Sequence, residues 1–123
     1  MKYGNRKTIV DGIEFDSAKE ARRYTELKLL QRAGMIEELE LQKVFELIPA
    51  QYEKFPRYGK SGIRLRDGER CLERNCVYIA DFAYKKDGQL VVEDTKSKAT
   101  KTKDYIIKRK LLLWRHGIRI KEV

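Results

Sequence analysis

Histidine and cysteine are scarce in this sequence, which contains one histidine, His116, and two cysteines, Cys71 and Cys76, among 123 residues. A structural zinc site usually takes four cysteine or histidine ligands, so these residues are too few for a zinc site within one chain. A structural disulfide is unusual in a cytoplasmic protein. We therefore predict two free thiols. The alternative is a zinc site to which each of two chains contributes both of its cysteines.

Long apolar runs are also absent, and no stretch approaches the roughly 20 residues that span a bilayer. The first residues, MKYGNRKT, are polar and lack the apolar core of a signal peptide. The sequence therefore favours a cytoplasmic protein over a membrane or exported one. Its length predicts a single domain over residues 1–123 with one hydrophobic core.

Acidic residues are outnumbered, with 19 Asp and Glu against 28 Lys and Arg, which gives a net charge of +9. A strongly basic chain favours a polyanionic partner. Because no amphipathic or apolar segment suits a bilayer, nucleic acid is the expected partner. Composition does not distinguish DNA from RNA, since both polyanions attract the same charges.

Residues 77–96, VYIADFAYKKDGQLVVEDTK, form two runs rich in β-branched and aromatic residues around Asp87-Gly88. Asp-Gly between two such runs is typical of a two-residue type I′ turn. The segment therefore predicts a β-hairpin in which Lys86 pairs with Gln89.

This register places Asp81 directly opposite Asp94, and side-chain alternation places Lys96 on the same face as Asp94. Two carboxylates across a strand pair have Cβ atoms about 5 Å apart and repel each other. Both carboxylates lie among apolar residues, so a positive charge nearby is needed to offset their repulsion. A bound divalent cation supplies one, because hard cations bind clustered carboxylate oxygens. The alternative is a pair of solvated surface charges.

Asp81 followed by Asp94-Thr95-Lys96 resembles the signature of the PD-(D/E)xK nucleases, which is an acid on one strand and acid-x-Lys on the next. The sequence departs from that pattern at Ala80, where the name of the superfamily has proline. The stretches YGNRKTIVDGIEFDSAKEA, YIADFAY, VVEDTK and YIIKRKLLL are also similar to a family of small phage-encoded proteins in that superfamily. Its members resemble Holliday junction resolvases in size and core.

The resemblance implies an α/β fold with a restriction-endonuclease-like core, which is a helix, a three-stranded meander, a helix and a strand. Local patterns agree with this order, predicting a helix over 17–33, a strand over 36–48, a helix from Thr102 to Gly117 and a strand over 118–121. A small hairpin around Asp11-Gly12 precedes this core, and a basic insertion covers 49–75. On the first core strand, the residues expected to share one side are Leu39, Leu41, Phe45 and Leu47.

The resemblance also implies one or two Mg²⁺ ions, for which Mn²⁺ can substitute, held by Asp81, Asp94 and the main-chain carbonyl of Thr95. Lys96 is then expected to orient or deprotonate the attacking water and to stabilise negative charge in the transition state. Because of strand alternation, the side chains of Thr95 and Glu93 are expected to face away from the site.

Glu20 has two interpretations. Ser17-x-x-Glu20 is a capping box, which alone explains a Glu in the first turn of a helix. In PD-(D/E)xK nucleases, however, a Glu from this helix often joins the metal site, so the resemblance makes Glu20 a catalytic and metal-binding candidate. Gln42 could approach the same site from the first core strand, although a polar residue at a sheet edge is the simpler explanation.

Two segments concentrate positive charge. Residues 54–74 hold seven basic and three acidic residues, with aromatic residues between them and a further hairpin predicted at Asp67-Gly68. Residues 96–110 hold seven basic residues and one acid. Both segments are typical of contacts with a phosphate backbone, and the alternative is a solvated surface. The candidate contacts are Arg64, Arg66, Arg70, Lys98, Lys101, Lys103 and Lys108.

These observations lead us to expect a metal-dependent endodeoxyribonuclease that acts as a homodimer on branched DNA, as a Holliday junction resolvase does. Two alternatives remain open. One is a DNA-binding or recombination accessory protein with the same fold that does not cut. The other is a nuclease directed at RNA.

Overall fold

The computed structural model describes residues 7–97 and 100–123. Over these residues the chain has a mixed α/β fold with two α-helices and eight strands. In chain order the elements are β1 (Thr8–Val10), β2 (Ile13–Phe15), α1 (Ala18–Arg32), β3 (Glu37–Ile48), β4 (Gln51–Tyr58), β5 (Arg64–Glu73), β6 (Cys76–Lys86), β7 (Gln89–Asp94), α2 (Lys103–His116) and β8 (Ile120–Glu122). A 3₁₀ turn, Lys60–Gly62, lies between β4 and β5.

Four strands form the central sheet in the order β3-β6-β7-β8. β6 is antiparallel to both β3 and β7, whereas β8 is parallel to β7. A parallel pair needs a crossover connection, which α2 provides between β7 and β8. The described elements therefore follow the predicted order of helix, three strands, helix and strand.

The turn between β6 and β7 has the predicted geometry. Asp87 and Gly88 both have positive φ angles, 52° and 77°, as a type I′ turn requires. Lys86 pairs with Gln89, and this register continues through the rest of the β6–β7 ladder. The predicted register is confirmed as far as the pair of Phe82 with Glu93, and the next predicted pair, Asp81 with Asp94, lies just beyond the ladder. The same turn geometry joins β1 to β2.

The helices begin and end at the predicted residues. The Ser17 hydroxyl accepts a hydrogen bond from the Glu20 main-chain N–H at 3.1 Å, which caps α1. The Thr102 hydroxyl accepts one from Tyr105 in the same way and caps α2. Gly117 ends α2 in the left-handed conformation, with a φ of 68°.

Apolar side chains fill both faces of the central sheet, with α1 covering one face and α2 the other. The side on which a strand packs reverses midway along both β3 and β6. In β3, Leu41 packs in the cluster with α1, whereas Phe45 packs in the cluster with α2. In β6, Phe82 belongs to the α1 cluster and Ala80 to the α2 cluster.

This reversal contradicts one prediction. Four residues of β3 were expected on one side, but they divide between the two clusters: Leu39, Leu41, Phe45 and Leu47. The physical reason is Gln42, whose φ of 51° interrupts the extended conformation on which alternation depends. Asp81 lies at the corresponding point of β6, between the residues that pack on opposite faces.

β4 and β5 form a separate two-stranded sheet, which we call the arm. Its turn is closed by a hydrogen bond from the Gly59 N–H to the Ile63 carbonyl at 2.7 Å. The prediction of a turn at Asp67-Gly68 is wrong, because both residues lie within β5. Gly68 pairs with Phe55, whose ring would overlap a Cβ at this position. Gly68 therefore leaves space for the Phe55 ring and does not form a turn.

Three further predictions concern individual residues and the membrane. Lys98 lies outside the described residues. Cys71 and Cys76 are free thiols in the structure. Neither of the helices in the described part of the chain is both long and apolar enough to cross a membrane.

Candidate active site

The candidate site lies where the start of α1 meets the middle of β6 and the end of β7. A cleft of about 200 Å³ opens there, bordered by Lys19, Glu20, Asp81, Thr95 and Lys96 together with neighbouring polar residues. Four of the predicted site residues, Glu20, Asp81, Thr95 and Lys96, therefore border one cleft. The fold brings them together from positions far apart in the sequence.

Asp81 and Asp94 are neighbours, as the hairpin register predicts. The Asp81 main-chain N–H donates a hydrogen bond to Oδ1 of Asp94 at 2.8 Å. Asp94 does not border the cleft and is 2% exposed, so it lies behind Asp81. Burial raises the pKa of Asp94, against the Asp81 N–H and the nearby Lys96 charge, which lower it. The site thus holds one accessible and one buried carboxylate.

The Thr95 side chain contacts Asp81, which corrects our expectation that it faces away. Its hydroxyl donates to Oδ2 of Asp81 at 2.9 Å, and its main-chain N–H donates to the same oxygen at 3.0 Å. Strand alternation does not apply to Thr95, because β7 ends at Asp94. Thr95 therefore fixes the orientation of the Asp81 carboxylate and leaves Oδ1 without a hydrogen bond among the described residues.

Lys96 is held at both its main chain and its side chain. Its N–H donates to the carbonyl of Val123 at 3.1 Å, which extends the pairing between β7 and β8. Its Nζ lies 4.6 Å from the centroid of the Tyr105 ring, which is a cation–π contact. The Lys96 carbonyl accepts a hydrogen bond from Nζ of Lys19 at 3.1 Å. Lys96 therefore contributes a positive charge at the edge of the cleft.

Glu20 fits both of its interpretations. Its main-chain N–H is capped by Ser17, and its carboxylate borders the cleft. Oε1 lies 3.5 Å from Nε2 of Gln42, so the strand residue that we considered a simple edge residue does reach the site. Burial, Asp81, Asp16 and Asp94 together raise the pKa of Glu20 to about 7. The carboxylate is thus in a desolvated place with excess negative charge.

The donor chemistry at this cleft fits a divalent cation. Glu20, Asp81 and Asp94 offer only oxygen ligands, which hard cations such as Mg²⁺ prefer. Burial raises the pKa of Glu20 most, and the nearby charges of Asp81, Asp16 and Asp94 raise it further, so a bound cation would offset their repulsion. In the described part of the chain, however, no three acidic, histidine or cysteine side chains converge closely enough to form a ready-made metal site.

Glu93 lies on the other side of β7, as strand alternation predicts. It is fully buried and receives two hydrogen bonds from Arg23 of α1, both at 2.7 Å, and one from the Tyr84 hydroxyl. Burial alone would raise the pKa of Glu93, but Arg23 and Tyr84 outweigh burial and lower it. Sequence patterns gave no sign of Arg23, because its partner is 70 residues away.

Comparison with known proteins identifies the family. Residues 1–121 match the family described as a protein of unknown function, DUF1064. The chain belongs to the DUF1064 family. A search of curated proteins and a search of solved structures both gave no match.

The basic candidates of this DUF1064 chain differ in their surroundings. On the α2 side, Lys101 forms an ion pair with Glu122 at 3.0 Å, Lys103 is exposed, and Lys108 is half-buried. In the arm, Arg64 pairs with Asp67, and Arg70 pairs with Glu53 at 3.0 Å. Arg66 is exposed and forms no ion pair among the described residues. The arginines of the arm are thus not equivalent.

Proposed function

We propose that this protein is a metal-dependent endodeoxyribonuclease of the PD-(D/E)xK type that cuts branched DNA. The observation that carries the proposal is the group formed by Asp81, Asp94 and Lys96, with Glu20 beside it. Glu20 of α1, Asp81 of β6 and Lys96 after β7 border one cleft, and Asp94 lies directly behind Asp81. Paired acids next to a lysine suit the hydrolysis of a phosphodiester.

The topology supports the same proposal. One helix precedes three antiparallel strands, and a second helix leads to a strand parallel to the third. That order agrees with a restriction-endonuclease-like core. The acid and the acid-x-Lys segment fall on the second and third of these strands, where the nuclease signature has them.

In this proposal Glu20, Asp81, Asp94 and the carbonyl of Thr95 hold Mg²⁺. The ion would supply a Lewis acid that polarises the phosphodiester and lowers the pKa of water. The Thr95 hydroxyl and N–H orient the Asp81 carboxylate. The Lys96 ammonium stabilises the negative charge that develops on the phosphate.

The Tyr105 ring supports one of the two expected roles of Lys96. Its centroid lies 4.6 Å from Nζ of Lys96, which is a cation–π contact. A lysine held in this way suits charge stabilisation, so in this proposal proton transfer falls to a carboxylate or to solvent.

One observation favours the second candidate function, a DNA-binding accessory protein that does not cut. Asp94 is buried, and the described residues contain no ready-made set of three metal ligands. A protein that only binds DNA needs no such set. The two candidates differ in whether Mg²⁺ produces strand breaks.

The test is incubation of purified protein with Mg²⁺ and linear, flapped or four-way-junction DNA. EDTA should abolish cutting. Asp94→Asn should also abolish it while leaving DNA binding largely unchanged. The matched control is Asp87→Asn, because Asp87 lies in the β6–β7 turn, where Asn-Gly is equally favourable. Undiminished cutting by Asp94→Asn would refute the site, and no cutting by the wild type would favour the accessory function.

A further inference from the structure

The two faces of the arm differ in chemistry, because paired residues of antiparallel strands share a face. The register and the alternation along each strand assign residues to one face, which we call the tyrosine face: Tyr52, Lys54, Tyr58, Arg64, Arg66, Glu69 and Cys71. The residues of the opposite face, the phenylalanine face, are Glu53, Phe55, Arg57, Leu65, Gly68 and Arg70.

Aromatic and charged side chains on the phenylalanine face contact one another. The Phe55 ring lies over Gly68, and the guanidinium of Arg70 lies 4.4 Å from the centroid of that ring. Arg70 also forms an ion pair with Glu53 at 3.0 Å. Ring and charge are therefore both engaged within the arm, which leaves Arg57 as the one cation of this face without an ion pair among the described residues.

On the tyrosine face, Arg64 pairs with Asp67, but the other basic residues form no ion pair among the described residues. Tyr52 and Tyr58 are 57% and 63% exposed. Lys54 and Arg66 are exposed and form no ion pair within the described part of the chain. Arg64 lies 5.6 Å from the centroid of the Tyr58 ring. Exposed rings beside unpaired cations are the combination that binds nucleic acid, through phosphate contacts and stacking.

We propose that the tyrosine face of the arm is a second nucleic-acid contact, which grips the sugar–phosphate backbone away from the cut. Lys54 and Arg66 neutralise phosphates, while Tyr52 and Tyr58 pack against sugars and bases or donate to phosphate oxygens. This inference rests on the proposed function in taking DNA as the substrate. It names the surface that binds this DNA and the position of that surface relative to the site.

The position of the contact follows from the sheet. Ile48 at the end of β3 pairs with Cys76 at the start of β6, so the arm leaves the sheet at this pair. Cys76 precedes Asp81 by five residues of one strand. At about 3.3 Å per residue, the base of the arm is roughly 16 Å from the site along β6. The base of the arm is therefore about five nucleotides from the site, given a rise of about 3.4 Å per nucleotide.

A matched pair of arginine variants tests the inference. Arg66→Gln removes an unpaired charge from the tyrosine face, and Arg57→Gln removes one from the phenylalanine face of the same arm. Binding to fluorescent linear duplex is titrated in EDTA over a series of salt concentrations, so cutting plays no part. We expect Arg66→Gln to lower the slope of log K against log salt by about 0.9, and Lys54→Gln with Arg66→Gln by about twice that. Arg57→Gln should leave the slope unchanged.

Removal of the whole arm provides a second, independent measurement. Because Ile48 and Cys76 are paired, residues 49–75 can be replaced by Asn-Gly, which closes β3 and β6 into a direct hairpin. Circular dichroism establishes whether the shortened chain folds. We expect a folded protein with a lower affinity for duplex and a shallower salt dependence than the wild type. If it does not fold, the point variants still decide the question.

Two results would overturn the inference. Equal losses of slope for Arg66→Gln and Arg57→Gln would mean that the arm contributes only general charge. Conversion of a dimer to a monomer by arm removal, with the salt slope unchanged, would mean that the arm binds a second copy of the chain. Failure of the proposed function is a separate result, because an inactive wild type would still show the difference between the two variants in EDTA.

Discussion

Thr95, which follows β7, orients the carboxylate of Asp81 on β6. Its hydroxyl and N–H bind the same oxygen of Asp81, so two hydrogen bonds direct the other oxygen into the cleft. Thr95→Ala removes one of them. A hydrogen bond to a charged group contributes about 1.5–3 kcal/mol, so we expect cutting at least about tenfold slower. Thr95→Ser, which keeps the hydroxyl, should cut at close to the wild-type rate. Single-turnover assays measure both, and an unaffected Thr95→Ala would contradict the role.

Lys96 should have the larger effect, because it carries the charge beside the phosphate. We expect Lys96→Ala to lower the cutting rate by about two to four orders of magnitude. Lys96→Arg keeps the charge and should retain part of the activity. Lys86→Ala is the control, since Lys86 is exposed at the β6–β7 turn. If Lys96→Ala cut DNA as fast as this control, Lys96 would have no role in catalysis.

Local sequence predicted part of this site and missed the rest for a physical reason. The proximity of Asp81 and Asp94 depends on Asp87-Gly88, a turn whose preference is set by the two residues themselves. The role of Thr95 depends on its leaving the alternation of β7 and reaching Asp81, which is 14 residues away in the chain. Short-range patterns do not encode that contact.

At the scale of elements, Arg23 and Glu93 attach α1 to β7. Glu93 is fully buried, and its carboxylate lies 2.7 Å from Arg23 and 4.0 Å from Lys121, so Arg23 is the nearer of two cations. We expect Arg23→Leu to lower the free energy of unfolding by about 3 kcal/mol, the lower end for a buried pair, because Arg23 is 20% exposed. Urea denaturation measures the change. The control is Arg22→Leu, at the exposed neighbouring position of α1.

The double variant Arg23→Leu with Glu93→Gln separates charge burial from packing. Gln keeps a hydrogen-bond partner for Tyr84 and removes the unpaired charge. We therefore expect it to be more stable than Arg23→Leu alone. If Arg23→Leu were no more destabilising than Arg22→Leu, the attachment would have no energetic role.

Glu122 makes the attachment of β8 to α2 dependent on pH. A hydrogen bond from Tyr105, opposed by burial and joined by Lys101 and Arg109, lowers its pKa from 4.5 to about 2. A lowered pKa in the folded state means that this stabilisation is complete above pH 4.5 and is lost as the pH falls towards 2. Wild type and Glu122→Gln should therefore differ in urea midpoint at pH 7 and converge in acid. A constant difference would exclude this linkage.

The same dipeptide has different roles in two elements. Asp-Gly forms a turn at residues 87–88, but at 67–68 it lies within a strand. The difference comes from Phe55 on the partner strand, whose ring occupies the space beside Gly68. Turn propensity is a property of neighbouring residues, whereas the contact of Phe55 with Gly68 joins residues of two strands. The reversal of sides at Gln42 likewise depends on a backbone φ angle that the hydrophobic pattern of the sequence does not encode.

At the scale of the whole molecule, the proposed activity needs two cuts. The described part of one chain offers one such cleft, and two-fold symmetry is the commonest way to supply two sites. We therefore expect a homodimer that prefers four-way junctions, with binding that depends strongly on salt. Light scattering combined with the substrate panel measures both properties. A monomer that cuts linear duplex as fast as junctions would rule this out.

The pairing of Ile48 with Cys76 has a consequence for how this family can diversify. The arm leaves and rejoins the sheet at neighbouring positions, so residues gained or lost within it do not alter the β6–β7 register, next to which Asp81 and Asp94 meet. The length and the charge of the arm can then change in evolution while the cleft stays the same. Substrate preference and chemistry can evolve separately in a chain of this size.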